Sequence, residues 1–272
     1  MSPPRITLVT PTYNQAEFLP EMLRSVDAQD YPNLEHIVVD ALSTDATPRL
    51  LAEASAPHRR ILREADRGQS DAINKGMSIG EGDIAGWLNS DDRLRPGALH
   101  AVANAFQAHP SATVVFGTGS RIDRGGSVVR EIPHRPFDRS LLASAFYVLQ
   151  PAMFFRREVF LEVGGLDENL EYAMDWDLLI RLARGRDVIS IPDPIADLRC
   201  YPETKTASGG WRRMREIAEI GRRHNGILDR NHVSCVVREC VGATGCGPLK
   251  WCVDQFFWHA FPKRSLMVEG WP

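Results

Sequence analysis

Cysteine is scarce in this chain: Cys200, Cys235, Cys240, Cys246 and Cys252 are the only five in 272 residues. None forms a CxxC pair, and their spacings match no zinc framework. Reduced, unligated thiols are the expectation. No apolar run reaches the about 18 residues of a membrane-spanning helix. The opening MSPPRITLVT has no basic stretch ahead of a long apolar one. A signal peptide is therefore not expected, and the cytoplasm is the expected address. Two signatures are missing: GxGxxG after the first strand and GxxxxGK followed by Ser or Thr. Their absence disfavours Rossmann dinucleotide binding and a P-loop ATPase. A net charge of −3 leaves no nucleic-acid footprint, so no nucleic-acid partner is expected.

What is present is an alternation of short β-branched runs and helical patterns. RITLVT, LEHIVVD, RRILRE, IAGWLN and ATVVFG read as strands. Between them AEFLPEMLRSVDAQ, DATPRLLAEAS, SDAINKGMSI and PGALHAVANAFQAHP read as helices, the first with Phe18, Met22, Leu23 and Val26 at helical spacing. This order predicts an α/β fold with a mostly parallel central sheet and helices on both faces. Ligands bind such sheets at the carboxyl ends of the strands. TPTYN, DALSTD and NSDD are the segments there. SRIDRGGSVVRE reads as a hairpin turning at Gly125-Gly126. Further on, AMFF is a strand, RREVFLEVG and MDWDLLIRLAR are helices, and DVISIP and IADLRC are two short strands.

Asp91 and Asp92 stand next to each other at a strand end. Adjacent carboxylates repel and are tolerated beside a cation or in water. A hard divalent ion suits them, with phosphate oxygens completing its shell; capping the helix near Pro96 is the competing role. Asp175 and Asp177 open an amphipathic helix whose buried stripe is Leu178, Leu179 and Leu182. Either carboxylate would be stabilised there by the helix dipole alone. DRGQSDAINKG offers Arg67 and Lys75 as balancing charges for a diphosphate, with a helix capped at Ser70 and closed at Gly76 as the structural alternative.

Taken together, these blocks resemble glycosyltransferase family 2, which has the GT-A fold. TPTYNQAEFLPEMLRSVDAQDYPNLEHIVVD is similar to its opening βαβ unit. STDAT, DRGQSDAINKG, GDIAGWLNSDD and GGLDENLEYAMDWDLLIRLA follow in the family's order, from about Ile6 to about Thr206. The resemblance implies an inverting transfer of a sugar from a nucleotide diphosphate, by default a UDP-sugar, to an acceptor hydroxyl in polysaccharide or glycoconjugate synthesis. It implies that Tyr13 flanks the base beside Pro11 and Thr12, that Asp40 accepts a bond from the base, and that Arg67 lies near base or diphosphate. Asp91 and Asp92 would take the DxD-type position at a Mn2+ or Mg2+ ion, Asp92 as the direct ligand, and Asp175 would be the general base. A sugar-phosphate nucleotidyltransferase and a non-catalytic nucleotide-sugar binder are the alternatives. The first lacks its glycine-rich early loop here.

Two positions depart from the family pattern. Ala41-Leu42-Ser43 replaces GGS after the second strand. Tyr201, in LRCYPETKT, stands where relatives often carry a His that ligates the metal in some GT-A enzymes; a phenol, with a pKa of about 10, is a poor ligand. The expected division is a catalytic domain over 1–206 and a helical extension over 207–272. From Lys205 to the end there are 11 Lys/Arg against 6 Asp/Glu. WRRMREIAEIGRRHNG is a basic amphipathic helix, and Trp251, Phe256, Phe257, Trp258 and Phe261 follow it. Packing on the catalytic domain is favoured for this tail over peripheral membrane contact with anionic headgroups.

Overall fold

The computed structural model describes residues 2–225. The four cysteines from Cys235 to Cys252 and the aromatic segment from Trp251 to Phe261 lie outside the described residues. Among the described residues, 2–137 and 148–201 form one compact unit, and 138–147 and 202–225 belong to a second.

In the first unit β1 (Ile6–Thr12), β2 (Leu34–Asp40), β3 (Arg59–Arg63) and β4 (Ile84–Trp87) lie side by side in the order β3-β2-β1-β4, all parallel. Every residue of β1 is buried. That is why RITLVT reads as a continuous run: a parallel strand covered on both faces has no solvent side. Leu8 packs into the core formed with α1 (Leu19–Asp27). Val9 points the other way, against α3 (Gln69–Ile79), which follows α2 (Thr47–Glu53). At that contact Gly76 leaves no room for a side chain: a Cβ would stand 2.5 Å from Val9 Cγ1. The helix expected over SDAINKGMSI is present and ends at Ile79. The alternative boundaries, a cap at Ser70 and a close at Gly76, are not adopted: Gly68, at φ +128°, precedes the first residue, and Gly76 serves close packing, not termination.

The second half of the sheet is mixed. β5 (Arg93–Leu94) and α4 (Ala98–Ala108) lead into β6 (Ala112–Ile122). β6 pairs antiparallel with β7 (Val128–Ile132) and with β8 (Met153–Arg156), and parallel with β9 (Asp187–Arg199). β8 joins β4 antiparallel, so the parallel reading holds for the N-terminal half and for β6–β9. The β6–β7 hairpin turns at Gly126, whose φ of +88° suits glycine. DVISIP and IADLRC are one 13-residue strand. Its register against β6 slips between Ser190 and Pro194, where two prolines interrupt the ladder. α6 (Arg157–Glu162) ends at Gly164 and Gly165, both at positive φ, and a loop leads to α7 (Met174–Ala183).

The second unit contains, among the described residues, α5 (Arg139–Ser144), α8 (Lys205–Ser208) and α9 (Gly210–Asn225). α5 packs on α9, and α9 buries Met214 and Ile220 while leaving Trp211 exposed.

Candidate active site

The parallel strands end together. Register pairs Thr12 with Asp40 and Asp40 with Arg63, so three strand ends stand in a row. The loops that follow are tied to one another. Asn14, at φ +52°, accepts a bond from the Thr44 N–H at 2.9 Å through Oδ1, and its own N–H donates to Ser43 Oγ at 2.9 Å. The Gln15 N–H donates to Thr47 Oγ1 at 3.0 Å. On this knitted rim Tyr13 is 58% exposed, an aromatic face offered to solvent. Beneath it the Thr12 hydroxyl is buried without a partner among the described residues, and the Pro11 carbonyl accepts from Ser90 Oγ at 3.3 Å.

Asp40 is wholly buried. Its Oδ1 accepts from the Ser43 N–H at 3.1 Å and its Oδ2 from Arg63 Nε at 3.0 Å. It holds the 41–43 turn, where Leu42 takes φ +58°. That is a left-handed position that disfavours any side chain, and glycine would enter it freely. Arg63, half exposed, sits over Asp40 and donates to the Ser43 carbonyl at 3.2 Å. Sequence reasoning missed Arg63 because an arginine in a short edge strand carries no signal of its own.

Past β4 the chain turns through Asn89 to Asp92, whose N–H donates to the Asn89 carbonyl at 3.1 Å. Asp92 is 1% exposed. The Arg199 N–H donates to its Oδ1 at 2.8 Å and Asn89 Nδ2 to its Oδ2 at 3.2 Å. Asp92, expected as the direct ligand, is the more enclosed of the pair: each of its oxygens accepts a hydrogen bond and it has almost no surface. Asp91 is the half-buried member of the pair, and its Oδ2 accepts from the Tyr201 hydroxyl at 3.0 Å. Burial raises the pKa of both carboxyls, and the charge of Asp91 adds to the rise at Asp92. Both carboxyls are thus harder to ionise here than in water, through loss of solvent first and, at Asp92, mutual repulsion second.

Arg199 closes the corner from the end of β9. Its side chain is 1% exposed. Nε donates to the Asp91 carbonyl at 2.7 Å, and one terminal nitrogen donates to Glu21 of α1 at 2.6 Å. The other donates to the carbonyls of Asp123 at 3.0 Å and Arg124 at 2.8 Å in the β6–β7 turn. A buried arginine inside the run IADLRC was the available signal, since arginine is rarely buried unless fully paired.

A chain of amides ties this corner to α3. Gln69 Nε2 donates to Asn89 Oδ1 at 2.7 Å, and Asn89 Nδ2 also reaches Gln150 Oε1 at 3.3 Å. α3 in turn holds the loop that leads to Asp175. Asn74 receives the Leu166 N–H at 2.9 Å and donates to the Leu166 carbonyl at 2.9 Å. Ser70 Oγ donates to the Leu170 carbonyl at 3.4 Å. Arg67 joins the same two elements, pairing with Asp71 at 3.2 Å and with Glu168. Lys75 is engaged by Glu64 and Asp71, each at 3.2 Å, and donates to the Ala65 carbonyl at 2.7 Å. These partners tie Lys75 to its own helix and to the segment ahead of it.

At the start of α7 the two carboxylates separate. Asp177 is fully buried and takes Arg181 Nε at 2.8 Å. Asp175 is half-buried in the first turn, and its Oδ1 accepts from the Trp176 N–H at 2.8 Å. Only Asp175 keeps surface from which to meet a ligand. Among the described residues no group of three His, Cys, Asp or Glu side chains is gathered tightly enough to hold a metal by itself.

Comparison with known proteins fits this architecture. The family model described as "Glycosyl transferase family 2" matches residues 7–164. The O-antigen biosynthesis protein RfbC of Myxococcus xanthus is 35% identical over 202 residues, covering 72% of this chain and 16% of that protein. The chain spans between 16% and 26% of the length of three curated relatives that it matches. The crystal structure of S. aureus TarS 1–349 in complex with UDP-GlcNAc superposes with a TM-score of 0.66 at 16% identity, over 95% of this chain and 76% of that one. The mannosyltransferase PcManGT from Pyrobaculum calidifontis, in complex with GDP-Man and Mn2+, does so with a TM-score of 0.62 at 22% identity, over 96% and 81%. These two likenesses establish the GT-A fold, and with the match over 7–164 the chain belongs to glycosyl transferase family 2.

Proposed function

We propose that this chain is an inverting glycosyltransferase that moves a sugar from a nucleotide diphosphate to an acceptor hydroxyl in the assembly of a polysaccharide or related glycoconjugate. The observation that carries the reading is the Asp91–Asp92 corner at the carboxyl edge of the sheet in a family 2 chain. The names of similar proteins support the substrate class: one acts in O-antigen biosynthesis and one is crystallised with UDP-GlcNAc.

In this reading Tyr13 stacks on the base, and the unpartnered Thr12 hydroxyl with the Pro11 backbone lines its edge. Asp40 acts through the turn and through Arg63 that it holds, and Arg67 lies toward the diphosphate. The donor set suits a hard divalent cation, because Asp91 presents one half-buried carboxylate beside the buried Asp92 and such ions take one or two carboxylates plus phosphate oxygens. We assign the facing role to Asp91 and the supporting role to Asp92. A Mn2+ or Mg2+ ion bound there would neutralise charge building on the departing diphosphate. Asp175 accepts the proton of the acceptor hydroxyl as that oxygen attacks the anomeric carbon from the side opposite the leaving group. The C–O bond to phosphate breaks as the new glycosidic bond forms, and the proton ends on Asp175.

The test is a panel of UDP-, GDP- and dTDP-sugars with manganese, assayed for nucleotide release in wild type and in Asp91→Asn. Release from one donor class, lost in the variant while its melting curve is kept, is the expected result. No release from any donor, or an Asp91→Asn variant as fast as wild type, would overturn the assignment.

A further inference from the structure

We propose that Tyr201 is a positioning residue: it aims Asp91 at a divalent cation that arrives with the nucleotide, and it does not bind that cation itself. The inference rests on reading the Asp91–Asp92 corner as the donor site.

Residues 199–201 hold the corner at three points. The Arg199 N–H fixes the Asp92 carboxylate at 2.8 Å, Arg199 Nε fixes the Asp91 backbone carbonyl at 2.7 Å, and the Tyr201 hydroxyl fixes the Asp91 carboxylate at 3.0 Å. The phenol is not placed to swing away. Its ring lies 5.1 Å from that of Phe18 on one side, and the Arg124 guanidinium lies 5.3 Å from its centroid. Arg124 is itself gripped by both carboxylate oxygens of Glu17, at 2.8 and 2.7 Å.

Because the hydroxyl donates to Asp91, it uses Oδ2 and leaves Oδ1 as the oxygen that no other side chain occupies among the described residues. One aimed carboxylate oxygen is a weak site for a lone Mn2+ or Mg2+ ion. It becomes adequate only when phosphate oxygens fill more of the shell. The cation and the nucleotide diphosphate then bind as a unit, and the Tyr201 hydrogen bond sets how well Asp91 meets that unit.

The experiment titrates UDP, GDP and dTDP calorimetrically into the full chain, in manganese and in EDTA. Wild type and Tyr201→Phe are compared, and electron paramagnetic resonance follows free Mn2+ without nucleotide. Partners that orient a ligating group change metal affinity about 10–100-fold. The expected result is that Tyr201→Phe weakens nucleoside diphosphate binding about tenfold in manganese and leaves binding in EDTA unchanged. Wild type shows little uptake of Mn2+ alone, and Tyr201→His, which supplies a ring nitrogen at the same place, raises it. Equal loss in manganese and EDTA would make Tyr201 merely structural, and unchanged manganese-dependent binding would remove any role; either overturns the proposal. Uptake of Mn2+ alone by wild type that Tyr201→Phe abolishes would make the phenol a ligand, and also overturns it. If wild type shows no manganese-dependent binding of any of the three nucleotides, the donor-site reading itself falls and takes this inference with it.

Discussion

Asp175 and Asp177 sit two residues apart in MDWDLL, and helix geometry sends them to different tasks. Asp177 points inward and is consumed by Arg181; Asp175 stays at the surface of the first turn. Their substitutions should separate cleanly. Asp175→Asn removes a proton acceptor and nothing buried, so kcat should fall about 10²–10⁴-fold with the donor KM and the melting temperature little changed. Asp177→Asn strips a partner from a buried ion pair, so it should cost about 3 kcal/mol of stability in a urea titration, with kcat of the folded fraction kept. A reversal of the two outcomes would move the base to Asp177. The same logic distinguishes Asp91 from Asp92. The sequence shows two adjacent carboxylates, but only the fold reveals that the Arg199 N–H and Asn89 have already claimed the second.

At the scale of elements, one buried polar chain stitches the three N-terminal strands and the first helix. Arg59 of β3 donates to His36 Nδ1 at 3.2 Å. That leaves Nε2 to donate to Thr10 Oγ1 of β1 at 2.9 Å, and the Thr10 hydroxyl donates to Met22 Sδ of α1 at 3.8 Å. Burial, and then the charges of Arg59 and His58, hold the His36 pKa well below the usual imidazole range. In the unfolded chain His36 takes a proton near pH 6.5. Below that pH the unfolded state therefore binds more protons than the folded state, so stability falls as pH drops from about 6.5 toward the folded value. Unfolding free energies from urea titrations at pH 7.5 and 5.5 should differ by on the order of 1 kcal/mol from this residue. His36→Gln, neutral at both values, should lose that part of the slope; an unchanged slope would assign the acid sensitivity elsewhere.

At the scale of the whole molecule, the parallel half of the sheet supplies the strand ends proposed to meet a nucleotide, and the mixed half returns β9 so that Arg199 and Tyr201 arrive beside Asp91. A ligand bridging these parts stabilises the folded state by mass action. A nucleoside diphosphate at about one hundred times its dissociation constant contributes about 2.7 kcal/mol. A thermal shift with UDP, GDP or dTDP in manganese should therefore raise the melting temperature for one base above the others. Chelation with EDTA should remove most of the rise. Equal, metal-independent shifts for all three would argue against a cation-assisted donor site.

Much of this was legible in the chain itself. Continuous β-branched runs between helical periods announce buried parallel strands, because period and propensity are local properties. The carboxylates at a strand end and at the opening of α7 marked the candidate site for the same reason. Whether Gly76 in SDAINKG ends the helix or admits a neighbouring strand could not be read locally, since it depends on what packs against it, here Val9. The joining of DVISIP and IADLRC into one strand, the burial of Asp40 and Asp92, and the meeting of Tyr201 with Asp91 across 110 positions of sequence are likewise tertiary decisions. Sequence determines which groups a chain can offer. Long-range burial and hydrogen bonding determine which of them are left unspent for a ligand.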